Sequence, residues 1–170
     1  QAIADALNAR GIPTVHETSL IDLGNYNDAY PRMAGLAEDW LARYPSIQMV
    51  LDVHRDSLET DDGAQLALRA DVDGEACAKL LLVMGSNGSG LKHPGWRQNL
   101  ANAARLQALC EQRAPGLMRD LLLRASRYNQ HLTPRSMLLE VGTAGNSLEE
   151  ALRSADIFSQ VLADCLLGKA

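Results

Sequence analysis

Apolar strand-like runs that alternate with amphipathic helical segments predict an α/β fold: one domain with a mostly parallel central sheet covered by helices on both faces. Three runs carry the expectation: IQMVLDV (47–53), KLLLVMG (79–85) and SMLLEVG (136–142). Their hydrophobicity is nearly continuous rather than alternating, the mark of strands buried on both faces. At 170 residues the chain fits a single domain spanning 1–170, long enough to bury about 70% of its unfolded surface. No internal repeat, linker or low-complexity tract divides it.

The elements follow in order. QAIADALNAR (1–10) sets Ile3 and Leu7 on one helical face, and Gly11 stops the helix as a left-handed cap residue does. IPTV (12–15) suits a short strand, and the polar stretch from His16 to Asn27 reads as a surface loop. Between Asp28 and Arg43, Met33, Leu36, Ala37, Trp40 and Leu41 recur at helical spacing until Pro45. After the 47–53 strand, residues 64–72 and 75–84 are expected to form a hairpin around Asp73-Gly74. Residues 96–113 are helical in pattern, and a second helix is expected at 116–125. Ser147 and Glu150 form a capping box ahead of a final helix whose apolar stripe runs from Ala151 to Leu167.

Composition narrows the function. Sixteen basic against 21 acidic residues leave a net charge of -5 and a pI near 5.3, which argues against nucleic acid and against docking on an anionic membrane. Cys77, Cys110 and Cys165 form no CxxC pair and read as small buried side chains. GSNGSG (85–90) is neither a nucleophile elbow nor a phosphate-binding loop. Asp56, Glu59, Asp61 and Asp62 lie in a carboxylate-rich stretch without calcium-loop spacing, read as solvated.

Two strand ends carry ionisable groups where Val, Ile or Leu would be expected: LDV-His54-Arg55-Asp56 and LL-Glu140-VG. Ligands of open α/β sheets gather at the carboxyl ends of strands, and a charge there must be paired or bound to a metal. His54 is therefore either a metal ligand or a satisfied structural histidine. Glu140 is either a proton-transfer group or the partner of Arg55 or Arg135. A catalytic zinc takes three protein ligands, but His16, His54, His93 and His131 show no metal-binding spacing. His16, His93 and His131 are read as surface residues.

At these same residues the chain resembles a known family. LDVHRDS (51–57), DVDGEACAKLLLVMG (71–85), HPGWRQNLANAARL (93–106), APGL (114–117) and YNQHLTPRSMLLEVGTAGNSLEEALRSA (128–155) are similar to the catalytic domain of the stage II sporulation protein P (SpoIIP) family, peptidoglycan hydrolases of endospore-forming bacteria. The Tyr-Asn-Asp-Ala-Tyr run at 26–30 also fits. More distantly, LDVHRDS and LLEVGTAGNSLEE resemble motifs of zinc-dependent N-acetylmuramoyl-L-alanine amidases. The resemblance implies an amidase-like three-layer sandwich, with zinc as cofactor, His54 as a zinc ligand and Glu140 as general acid/base. Arg55, Asn129 and Gln130 are its expected substrate-binding residues. It further implies peptidoglycan as substrate, a membrane-associated sporulation protein as partner, and an extracytoplasmic location with an N-terminal membrane anchor. Both groups place a first metal-ligating histidine ahead of a helix like the one opening this chain. An N-terminally truncated domain lacking its first strand is therefore expected. The alternative function is a peptidoglycan-binding module that does not cut.

Overall fold

The computed structural model describes residues 1–21, 25 and 28–169; Tyr26 and Asn27 of the predicted loop lie outside them. Its central sheet has four strands, β1 (Leu51–Asp56), β4 (Leu80–Gly85), β5 (Leu122–Arg124) and β6 (Met137–Thr143), in the order β1-β6-β4-β5. Two pairings are parallel, β1 with β6 and β4 with β5, and the central pair β4–β6 is antiparallel. A separate hairpin joins β2 (Arg69–Val72) to β3 (Glu75–Ala78) through Asp73 and Gly74, both at positive φ, the backbone a two-residue turn of this hand requires.

The continuous apolar runs behave as expected at the centre of the sheet. Every residue of β4 is buried, and in β6 only Glu140 is not fully so. Leu80, Leu82, Met84, Met137, Leu139 and Val141 belong to the main core. Helices α1 (Ala2–Ala9), α3 (Trp96–Arg113) and α4 (Leu148–Leu166) add to it, with Leu7, Leu106 and Phe158 buried. On the opposite face Leu81, Val83 and Leu138 form a smaller cluster, against which Leu122 and Tyr128 pack. Helix α2 (Ala29–Arg43) reaches that side through Tyr30, whose ring lies 5.9 Å from Tyr128 and whose carbonyl accepts from Asn129 Nδ2 at 2.8 Å. Helices thus stand on both faces.

Four expectations fail. Residues 12–15 form no strand: Asn8 satisfies the backbone of Thr14 through both ends of its amide, at 2.9 Å each. The 116–125 helix does not form. Gly116 sits at positive φ, and Leu117 and Arg119 bond to both sides of Leu80, carrying the chain into β5 beside β4. The predicted long hairpin is interrupted at Lys79, so that β3 pairs with β2 while β4 joins the main sheet. Finally, β1 begins at Leu51 rather than 47 and is not buried on both faces. Among the described residues it has β6 on one side only, and Val53 is 51% exposed.

The capping box of α4 is present. Ser147 Oγ accepts from Glu150 N at 3.1 Å, and Glu150 Oε2 accepts from Ser147 N at 3.0 Å. Replacing Ser147 by Ala is expected to destabilise the domain by about 1 kcal/mol, read as a lower denaturation midpoint with unchanged slope.

Glu150 also ties the hairpin to this helix by accepting from Arg69 Nε and from Asn146 Nδ2. Arg69 first, then Asn146, hold its carboxyl down at about 2, against an ordinary 4.5, with burial opposing. A lowered carboxylate contributes stability that is complete above the unfolded value and lost as pH falls through the folded one. The domain is therefore expected to lose stability between about pH 4.5 and about pH 2. In Glu150→Gln that portion of the acid-denaturation curve should flatten.

Candidate functional site

The parallel register of β1 and β6 sets His54 directly opposite Glu140. Side chains two apart on a strand share a face, so Asp52 lies on the His54 side, and His54 Nε2 stands 2.9 Å from Asp52 Oδ1. The register slips between His54 and Asp56. Asp56 there accepts from Arg119 Nη1 at 2.6 Å. Arg119 arrives from the segment leading into β5, the one predicted to be helical. The charged groups that act on Glu140 are His54, Asp56 and Asp52 of β1 and Arg119 from the segment before β5.

This setting perturbs both central groups. Burial pushes the Glu140 carboxyl above its usual range, Asp56 and Asp52 add to the push, and His54 and Arg119 oppose it. Its Oε2 is buried and accepts no hydrogen bond among the described residues, a costly arrangement for a group with no further role. His54 is raised, first by its hydrogen bond to Asp52 and then by the charges of Asp52 and Glu140, against burial. A half-buried carboxyl beside an imidazole, each shifted by the other and by its surroundings, is the pattern of a proton-handling site.

The ion pairs weighed for Glu140 do not form, because Arg55 and Arg135 turn elsewhere. Arg135 Nη1 donates to Gln48 Oε1 at 2.7 Å. Arg55 Nε donates to the Thr143 carbonyl at 2.8 Å and Nη2 to that of Asn146, clasping the turn between β6 and α4. Asn129, at positive φ, holds Tyr30. Gln130 is 1% exposed, and both ends of its amide are taken by β4: Oε1 accepts from Gly85 N and Nε2 donates to the Val83 carbonyl, each at 2.8 Å. Its loop lies so close that a Cβ on Gly85 would fall 2.5 Å from the Ser126 carbonyl oxygen. Only glycine admits that approach.

The other histidines do not join His54. His16 is exposed, its Nδ1 at 3.0 Å from Gln1 Oε1. His93 is 2% exposed rather than superficial, and His131 lies near enough to act on it electrostatically. Neither of its ring nitrogens has a partner among the described residues. Burial lowers His93 and His131 alike, followed for His93 by the neighbouring His131 and for both by Arg127. Among the described residues no group of three or more His, Cys, Asp or Glu side chains is placed to hold a metal. The set around His54 and Glu140 suits zinc in ligand type, one imidazole among carboxylates, but Asp52 is taken by His54 and Asp56 by Arg119, so no three of them are placed around one point.

The sequence reading missed three members of the cluster. Asp52 and Asp56 are visible in LDVHRD as residues spaced by two around His54, yet by local pattern Asp56 reads as part of a solvated loop. Arg119 had no local signal.

Comparison with known proteins is decisive on family. The family model of stage II sporulation protein P (SpoIIP) matches residues 1–163. The chain belongs to the SpoIIP family. Stage II sporulation protein P of Bacillus subtilis (strain 168) is 32% identical over 174 residues, covering 94% of this chain and 41% of that protein. The chain thus spans about two-fifths of that SpoIIP relative's length. No solved structure matches. His54 and Glu140 both fall within the SpoIIP match, which makes this a domain of a sporulation protein family. No helix among the described residues is long and apolar enough to cross a membrane.

Proposed function

We propose that this SpoIIP-family domain is a zinc-dependent peptidoglycan hydrolase of sporulation and engulfment. It would cut the amide between N-acetylmuramic acid and the L-alanine of the stem peptide, and also crosslinks between stems. One observation carries the reading: Glu140, its Oε2 buried and unpartnered, stands opposite His54 across the β1–β6 pair. In this scheme His54 is one zinc ligand. Zinc, when bound, supplies polarisation of the scissile carbonyl and a more acidic water. Glu140 takes a proton from water at its free oxygen and delivers it to the departing amine nitrogen. The raised affinity of Glu140 for a proton suits the first half of that transfer, its uptake from water. Arg119 keeps Asp56 neutralised beside it.

Of the three residues expected to bind substrate, Arg55 and Asn129 serve through the loops they hold, whereas Gln130, buried with both ends of its amide bonded to β4, makes no substrate contact. Arg55 fixes the turn after Glu140, while Asn129 and Gln130 anchor the 126–130 loop between α2 and β4. The substrate places the domain outside the cytoplasm, anchored by an N-terminal segment and working with a membrane-associated sporulation protein.

The test is digestion of purified sacculi by the protein with zinc present, followed by mass spectrometry of the released material. Stem peptides with new free L-alanine amines are expected. Sacculi bound but left intact would overturn the hydrolase reading in favour of a binding module.

A further inference from the structure

Asp52 and Asp56 flank His54 on the same strand, but they are not equivalent. The register slip after His54 takes Asp56 to Arg119, at 2.6 Å, which neutralises it. Asp52 comes before the slip, and its Oδ1 meets His54 Nε2 at 2.9 Å. An ionised carboxylate only accepts hydrogen bonds, so the proton of a neutral His54 must sit on Nε2. Nδ1 is then the ring atom with a lone pair.

We propose that Asp52 is a positioning residue, which locks His54 as its Nε2–H tautomer, fixes the plane of its ring, and makes Nδ1 the atom offered to a ligand. The assignment of that ligand as a metal rests on the function proposed above; the tautomer does not. A carboxylate behind an imidazole sets both its orientation and its strength as a donor. On a strand that has a neighbour on only one side among the described residues, His54 otherwise has little to hold its ring. Its Cβ is placed by the backbone, and its plane by Asp52 alone among the hydrogen bonds described.

Nitrogen-15 NMR of histidine-labelled protein reads the tautomer directly. Four histidines give four sets of ring signals, and His54→Gln assigns the one in question. Above the pH at which His54 protonates, a pure Nε2–H pattern is expected in the unaltered protein. In Asp52→Ala it should relax to the averaged pattern of a free imidazole. Asp52→Asn, which keeps an acceptor oxygen at the same place, should retain the pattern in part and serves where Asp52→Ala does not fold. An Nδ1–H pattern in the unaltered protein overturns the proposal. So does an Nε2–H pattern that survives Asp52→Ala unchanged. Sacculus digestion separates the two readings. Intact sacculi with the tautomer locked by Asp52 would sink the hydrolase and leave the positioning role standing. Digestion lost in Asp52→Ala with His54 unaltered would do the reverse.

Discussion

Glu140→Gln is expected to lower release of stem peptides from sacculi by about 10²–10⁴-fold, the usual contribution of a positioned acid/base, without unfolding the domain. The substitution keeps the shape and replaces the carboxyl with an amide that cannot take up or deliver the proton. Burial holds the native Glu140 above the ordinary 4.5, so ionising it costs the folded state more than the unfolded one, and that cost is present at neutral pH. The Gln variant should therefore melt at the same temperature as the parent or a higher one. Mass spectrometry of the digest and thermal denaturation of the same two proteins check both halves. Activity lost together with a lowered melting temperature would mean that Glu140 is a structural group.

Asn146→Leu should be the most destabilising of the changes considered, by about 3–5 kcal/mol. Asn146 is buried, and its amide makes four bonds. Oδ1 accepts from Thr143 N and Thr143 Oγ1 at 2.9 Å, while Nδ2 donates to the Leu68 carbonyl at 3.1 Å and to Glu150 Oε2 at 2.8 Å. Leucine fills the same space and satisfies none of them. Each buried group left unpaired costs about 1–3 kcal/mol, and relaxation recovers some of the sum. The damage falls on the site's floor. Thr143 ends β6, its carbonyl and that of Asn146 hold Arg55, and the next amide, Ala144 N, donates to the Asp56 carbonyl at 2.8 Å. The same turn has no room for added bulk: at Gly142, φ +72°, a Cβ would lie 2.7 Å from Ala78 Cβ. Urea denaturation should show a lower midpoint with an unchanged slope. A loss below about 1 kcal/mol would mean that water replaces the amide.

How much of this was legible beforehand depends on how local the cause is. The capping box of α4 involves Ser147 and Glu150, three residues apart, and the β2–β3 turn needs only Asp73-Gly74. Strands β4 and β6 announce themselves because their side chains are buried on both faces of the sheet. His54 and Glu140 stood out for the complementary reason: each interrupts an apolar strand with an ionisable group. The motifs around them sufficed to recognise the SpoIIP family.

Other features had no local cause. Residues 116–125 have a helical pattern, but Leu117 and Arg119 are claimed by Leu80. Gln130 reads as a polar loop residue, yet the edge of β4 needed an amide with a donor and an acceptor, and the loop after β5 brought one.

By itself, then, the sequence determined an α/β domain, two of its buried strands, its family, and the two groups at the heart of its candidate site. Burial and short-range hydrogen bonding leave a mark on the residues that undergo them. Tertiary structure alone decided that His54 faces Glu140 in register, that Arg119 rather than Arg55 is the cation among the charges acting on Glu140, and that Asp52 and Asp56 take different partners. Those outcomes depend on strand order and on one slip in register. A single chain read in one dimension carries no record of either, because register is a relation between strands far apart in sequence.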